Sequence, residues 1–212
     1  MAKKKNAVHV VMVLDETGSM GVIKGKTISG FNEYITTLQG DKTAKYRFTL
    51  TTFNSESTVT RHAGTDIQMV DKLTHSTYTP TNLTPLYDAI GIALRDAGSY
   101  LEKNERGLLV IFTDGQENAS REFTRQHVAD KIKDLEATGR WGVIYLGANQ
   151  DSFEAGQQVG VNLTANWTYG TAQKVIGAMG VGTIAYSAAP TTDSAKEAFA
   201  SAVRSAAAKG DN

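Results

Sequence analysis

The chain has 212 residues, which suits one domain with an extension, and 41% hydrophobic with 21% charged residues permits a full core and excludes wholesale disorder. Lysine plus arginine and aspartate plus glutamate stand at 22 each, so no net field draws in nucleic acid or an anionic membrane. Cysteine is absent, which excludes disulfides and thiolate metal sites and fits a reducing compartment.

Residues 1–6, with the run Lys3-Lys4-Lys5, read as a flexible basic N-terminus without the apolar stretch of a signal peptide. No run approaches the ~20 apolar residues that span a bilayer, and a cytoplasmic location is expected. Val8–Leu14 reads as a strand buried on both faces. Ile28, Phe31, Ile35 and Leu38 then form one stripe of an amphipathic helix. Tyr46–Phe53 alternates apolar residues with threonine, which predicts a less deeply buried strand. The turn-like Asn54-Ser55-Glu56-Ser57 leads from it into Thr58–His62, an antiparallel edge strand. Leu86, Ile90, Leu94, Ala97 and Leu101 predict a second helix, with Pro85 in its first turn. Leu108–Phe112 and Val143–Leu146 are further buried strands, separated by the helical stripe Val128, Ile132, Leu135. Val161–Thr168 is a candidate last strand. Ala172–Ala185 and Ser194–Ala208 look helical, with Pro190 between them.

Strands alternating with helices imply an α/β fold: a Rossmann-like, doubly wound, mostly parallel sheet with helices on both faces and one antiparallel edge strand. The expected division is a domain over residues 7–168 and a C-terminal helical extension over 169–212, packed on it.

Three segments carry the chemistry. The first strand ends in Asp15-Glu16-Thr17-Gly18-Ser19-Met20, and Leu108–Phe112 ends in Thr113-Asp114-Gly115. Between them, before a helix, lies Asn82-Leu83-Thr84-Pro85-Leu86-Tyr87-Asp88. Ligands of open α/β sheets bind beyond the carboxyl ends of the strands, where strand order reverses. If the strands before Asp15 and Asp114 are neighbours at that reversal, both carboxylates face one crevice. Thr17 and Ser19, two positions apart in a turn, can present hydroxyls the same way, and Thr84 adds a third from another loop. Such a hard-oxygen shell suits Mg²⁺ or Mn²⁺ better than Ca²⁺. Asp88 reads as favouring its helix dipole. Glu16, Glu117 and Asn118 are solvated loop residues or shape docking. The four histidines have no ligand spacing, and Trp141, Trp167 and Tyr169 read as packing residues.

Asp-x-Thr-x-Ser, a downstream Thr before Pro-Leu-Tyr-Asp, and Thr-Asp-Gly after an apolar strand together resemble the metal-ion-dependent adhesion site of von Willebrand factor A (vWA) domains, in particular small bacterial and phage members. Thr17 stands where the family pattern has serine, a mild departure because a threonine hydroxyl coordinates equally well. The resemblance covers about residues 7–165 and implies the vWA fold. It implies a metal site of Asp15, Thr17, Ser19, Thr84 and Asp114, holding Mg²⁺ or Mn²⁺. It also implies a protein partner that supplies an Asp or Glu to the ion. No nucleophile–base pair is evident, so a binding module is expected rather than an enzyme. The alternatives are a metal-dependent phosphohydrolase or phosphotransferase, and a scaffold with a vestigial site. Ser194–Ala208 is a candidate lever coupled to metal binding, or an oligomer contact.

Overall fold

The computed structural model describes residues 5–97, 101–148 and 152–208, so the first four residues of the expected flexible N-terminus lie outside it. Strand β1 (Asn6–Asp15) leads through a 3-10 turn (Gly18–Ile23) into helix α1 (Lys24–Gly40). Strands β2 (Ala44–Phe53) and β3 (Thr58–Asp66) form a hairpin whose turn is closed by the Asn54 side chain accepting from the Glu56 and Ser57 amides. Helix α2 (Leu86–Ala97) precedes β4 (Glu105–Thr113), and α3 (Arg125–Ala137) precedes β5 (Trp141–Ala148). A short α4 (Ser152–Gln158), β6 (Thr164–Trp167), α5 (Ala172–Ala188) and α6 (Thr192–Ala207) complete the chain.

The sheet runs β3-β2-β1-β4-β5-β6, parallel throughout except for the antiparallel edge strand β3. Two cores cover its faces. Val8, Val10, Met12 and Leu14 face α1, α5 and α6, whereas Val11 and Val13 face α2 and α3. This two-sided burial makes β1 and β4 read as unbroken apolar runs. The C-terminal helices lie within the first core, to which Val175, Ile176, Met179, Phe199 and Val203 all contribute.

Strand β2 departs from its expected half-buried character, because Thr49, Thr51 and Thr52 are all buried. Their hydroxyls make lateral bonds: Thr49 to His9 Nε2 (2.9 Å) and the Gly64 amide (2.8 Å), Thr51 to Thr60 (3.4 Å), and Thr52 to Arg61 Nε (2.9 Å). Satisfied hydroxyls can be buried at little cost, so threonine there marks β-branched packing rather than exposure. Helix α2 is described only to Ala97. Leu101, expected on its stripe, is non-helical yet still packs on the second core. Among the described residues, no helix is long and apolar enough to cross a membrane.

Helices α1 and α5 pack unusually close. A Cβ on Gly30 would lie 2.8 Å from the Gln173 carbonyl, and one on Gly180 would lie 2.8 Å from Thr37 Cβ. Glycine on both sides of this seam lets the backbones approach. Tyr34, buried within the seam, bonds Thr183 Oγ1 at 3.1 Å.

Candidate metal centre

Strand order reverses between β1 and β4, which pair in parallel with Leu14 opposite Phe112. Asp15 ends β1 and Asp114 directly follows β4, so both arrive at the same crevice at the carboxyl edge of the sheet. The loops that carry the site are tied to one another. Gly18 donates its amide to the Asn82 carbonyl at 3.0 Å, and a Cβ on Gly18 would lie 3.3 Å from that oxygen. Asn82 itself has φ 63°, a left-handed turn position that asparagine tolerates. Thr84 is clipped to the loop after β4: its amide donates to Asn118 Oδ1 (2.8 Å), and its carbonyl accepts from the Asn118 amide (3.1 Å).

The crevice joins four of the five expected ligands in one hydrogen-bond chain. Asp15, fully buried, accepts from the Thr17 amide on Oδ1 (2.8 Å) and from the Thr113 hydroxyl on Oδ2 (2.5 Å). The Thr17 and Ser19 hydroxyls are 3.3 Å apart, and Ser19 Oγ donates to Asp114 Oδ1 at 2.6 Å. Thr84 joins from the side, with its Oγ1 lying 3.0 Å from where a Gly115 Cβ would sit. That residue is 4% exposed, and its hydroxyl makes no hydrogen bond among the described residues.

No Lys, Arg or His pairs with Asp15 or Asp114 among the described residues. Burial pushes the Asp15 carboxyl up to about 6; bonds from Thr113 and Thr17 pull it down and the nearby Asp114 charge pushes it up. Two carboxylates, three hydroxyls and no thiolate or imidazole form a hard-oxygen donor set, in which the Thr84 hydroxyl has no protein hydrogen-bond partner among the described residues. These residues fit a small divalent cation.

The sequence did not indicate three further contacts. Thr113 orients Asp15, and Tyr78 donates to the Asp15 carbonyl at 2.6 Å. Tyr169, expected to be a packing residue, donates its phenol hydroxyl to Asp114 Oδ2 at 2.9 Å. Burial and this bond raise the phenol above its ordinary value, so it stays a donor. Its place just past the carboxyl end of β6 was the available clue, since every strand of a parallel sheet delivers its following loop to the ligand-binding edge.

The flanking acids are structural rather than solvated. Glu16 is buried, accepts from the Thr79 amide and pairs with Arg61 at 2.8 Å. Glu117 accepts the Tyr87, Ala119 and Ser120 amides. Asp88 accepts the amides of Arg121, Glu122 and Phe123, so it fastens the loop after β4 to α2 in addition to facing its helix N-terminus. Among the described residues no three His, Cys, Asp or Glu side chains group as a metal cage, in keeping with a shell of two carboxylates and hydroxyls.

No protein-family model matches the sequence, and no curated protein matches it. Solved structures do. The chain is similar to a von Willebrand factor type A protein from Catenulispora acidiphila, at 12% identity over 86% of this chain and 44% of that one (TM-score 0.58). It is also similar to the vWF domain of the type V pili tip protein Mfa5 from Porphyromonas gingivalis, at 10% identity over 99% of both chains (TM-score 0.57). A third is the manganese-loaded TRAP protein of Plasmodium vivax, at 19% identity over 79% of this chain and 71% of that one (TM-score 0.54). The chain spans less than half the length of the Catenulispora protein and of proximal thread matrix protein 1 from the mussel byssus. This chain has the von Willebrand factor A fold.

Proposed function

We propose that the chain is a protein-binding module that works through a divalent metal. Asp15, Thr17, Ser19, Thr84 and Asp114 hold Mg²⁺ or Mn²⁺, and a partner protein supplies an Asp or Glu. The observation that carries this reading is a crevice that, among the described residues, has two acids, no paired cation and a hydroxyl without a protein partner. A bound ion supplies positive charge there and leaves a coordination position open to an outside carboxylate. The metal-loaded TRAP structure supports the reading by analogy of fold. So do Leu83 and Tyr169, exposed side chains on the loop before α2 and on the turn after β6. In this reading residues 7–168 and the Tyr169 turn that follows carry the binding face, and helices α5 and α6 buttress it.

Thermal unfolding in EDTA and then with Mg²⁺, Mn²⁺ or Ca²⁺ tests the metal centre, with Asp15→Ala beside wild type. We expect a rise with Mg²⁺ or Mn²⁺ in wild type alone; equal behaviour of the two proteins would discard the site. The partner step is tested by retention of a protein on immobilised wild type that Mg²⁺ supports and EDTA releases, and that immobilised Asp114→Ala does not give. Asp15-dependent turnover of a phosphoester would instead make the site an enzyme's.

A further inference from the structure

Asp114 is held from two sides. Ser19 donates to Oδ1 at 2.6 Å and Tyr169 to Oδ2 at 2.9 Å. Both donors belong to the same helix pair, because Ser19 lies on the turn that enters α1 and Tyr169 on the turn that enters α5. That pair is locked along the glycine seam, so the spacing between the two donors is set by packed backbone rather than by a free loop.

The turn carrying Tyr169 is itself fixed. Lys26, in the first turn of α1, donates to the Tyr169 and Gly170 carbonyls at 3.1 and 3.4 Å. Thr168 and Thr171 exchange amide-to-hydroxyl bonds at 3.0 and 3.3 Å. Behind them Trp167 stacks on Phe112 of β4, with ring centroids 4.6 Å apart and planes inclined by 12°. The Tyr169 ring lies against Trp167 at 6.2 Å. The phenol therefore leans on Trp167, which in turn stacks on the strand that delivers Asp114.

We infer that Tyr169 is a positioning residue of the metal centre: its hydroxyl fixes the Asp114 carboxylate so that Oδ1, beside Ser19, is the oxygen turned to the ion. The inference rests on the metal-dependent reading above. A carboxylate with one oxygen tied to a rigid donor loses rotational freedom before the ion arrives, and outer partners of this kind set metal affinity. Ser19 only needs to rotate its hydroxyl proton away to offer a lone pair, whereas Tyr169 keeps its bond throughout.

The test is isothermal titration with MgCl₂ and MnCl₂ on wild type, Tyr169→Phe, Tyr169→Ala and Asp15→Ala, with melting in EDTA as the fold control. Tyr169→Phe keeps the ring and removes only the donor. We expect it to weaken Mg²⁺ binding about 10-fold or more, with the EDTA melting temperature within about 2 °C of wild type. If Tyr169→Phe binds as wild type does, the inference is overturned, and overturned in favour of packing if Tyr169→Ala alone is weakened. If wild type binds no better than Asp15→Ala, the metal-dependent reading falls and this inference with it. Asp15-dependent binding unaffected by Tyr169→Phe sinks the inference alone.

Discussion

Two buried carboxylates at opposite ends of the sheet, Glu105 and Asp15, are met in opposite ways. At the end where the parallel strands begin, Glu105 is buried and Arg47 meets it with a two-pronged contact, Nε to Oε1 at 2.9 Å and the terminal nitrogen to Oε2 at 2.6 Å. Burial pushes Glu105 up, but the Arg47 hydrogen bonds and charge outweigh it and leave the carboxyl below its ordinary value. At the other end, buried Asp15 and half-buried Asp114 receive only neutral donors among the described residues, although Glu16 next to them has Arg61, and Asp15 sits at about 6. The chain is able to neutralise a buried acid with its own arginine. Under the proposed function, the acids left without an arginine are the ones that take a cation from outside.

Breaking the self-sufficient end should have the largest effect. Arg47→Met strands the Glu105 charge and should destabilise the fold by about 3 kcal/mol in urea unfolding. Adding Glu105→Gln should recover much of it; no recovery would mean that Arg47 acts by packing alone.

Next in size is the acid response of the same end. Burial first, and then the Arg47 charge, lower the His9 imidazole to about 4, against an opposing pull from Glu105. The unfolded chain takes up the proton near 6.5 and the folded chain only near 4, so the neutral ring stabilises the fold above pH 6.5. That contribution is lost as pH falls from 6.5 towards 4, roughly 3 kcal/mol in full. His9→Gln should flatten this limb in pH-dependent unfolding; an unchanged limb would assign it to the carboxylates.

At the crevice end, Mg²⁺ at about 100 times its dissociation constant should add about 2.7 kcal/mol to wild-type stability and nothing to Asp15→Ala. The smallest expected change sharpens the contrast most. Thr84→Val removes a hydroxyl that bonds nothing in the described fold, so its melting temperature in EDTA should stay within about 2 °C of wild type. Its metal response should be lost. A large drop in EDTA would show that the hydroxyl serves the fold instead.

The sequence revealed what two-sided burial writes into it. Strands β1, β4 and β5 appear as apolar runs, and the ends of the first two put Asp15 and Asp114 in view. Helices α1, α3, α5 and α6 showed as stripes or apolar runs. Strand β2 was misjudged because a buried, laterally bonded threonine looks the same in sequence as an exposed one. Helix α4 has seven residues and includes Gly156, too short for a stripe to emerge. The spacing of Thr17 and Ser19 in one turn, and the family resemblance for Thr84, pointed to three hydroxyls that the fold does bring to one edge of the sheet. Tyr169 was not, because 55 residues separate it from Asp114 and only the shared sheet edge brings them together.

The glycine seam between α1 and α5 has a consequence for how this chain tolerates mutation. A single methyl at Gly30 or Gly180 meets the Gln173 backbone and Ile176 Cβ, or Thr37 Cβ, at 2.8 Å and must wedge the helices apart. Both helices begin at the crevice, so the wedge acts like a hand on the far end of a pair of tongs. Under the proposed function, damage to recognition is then expected from alanine at positions about two helical turns behind the crevice.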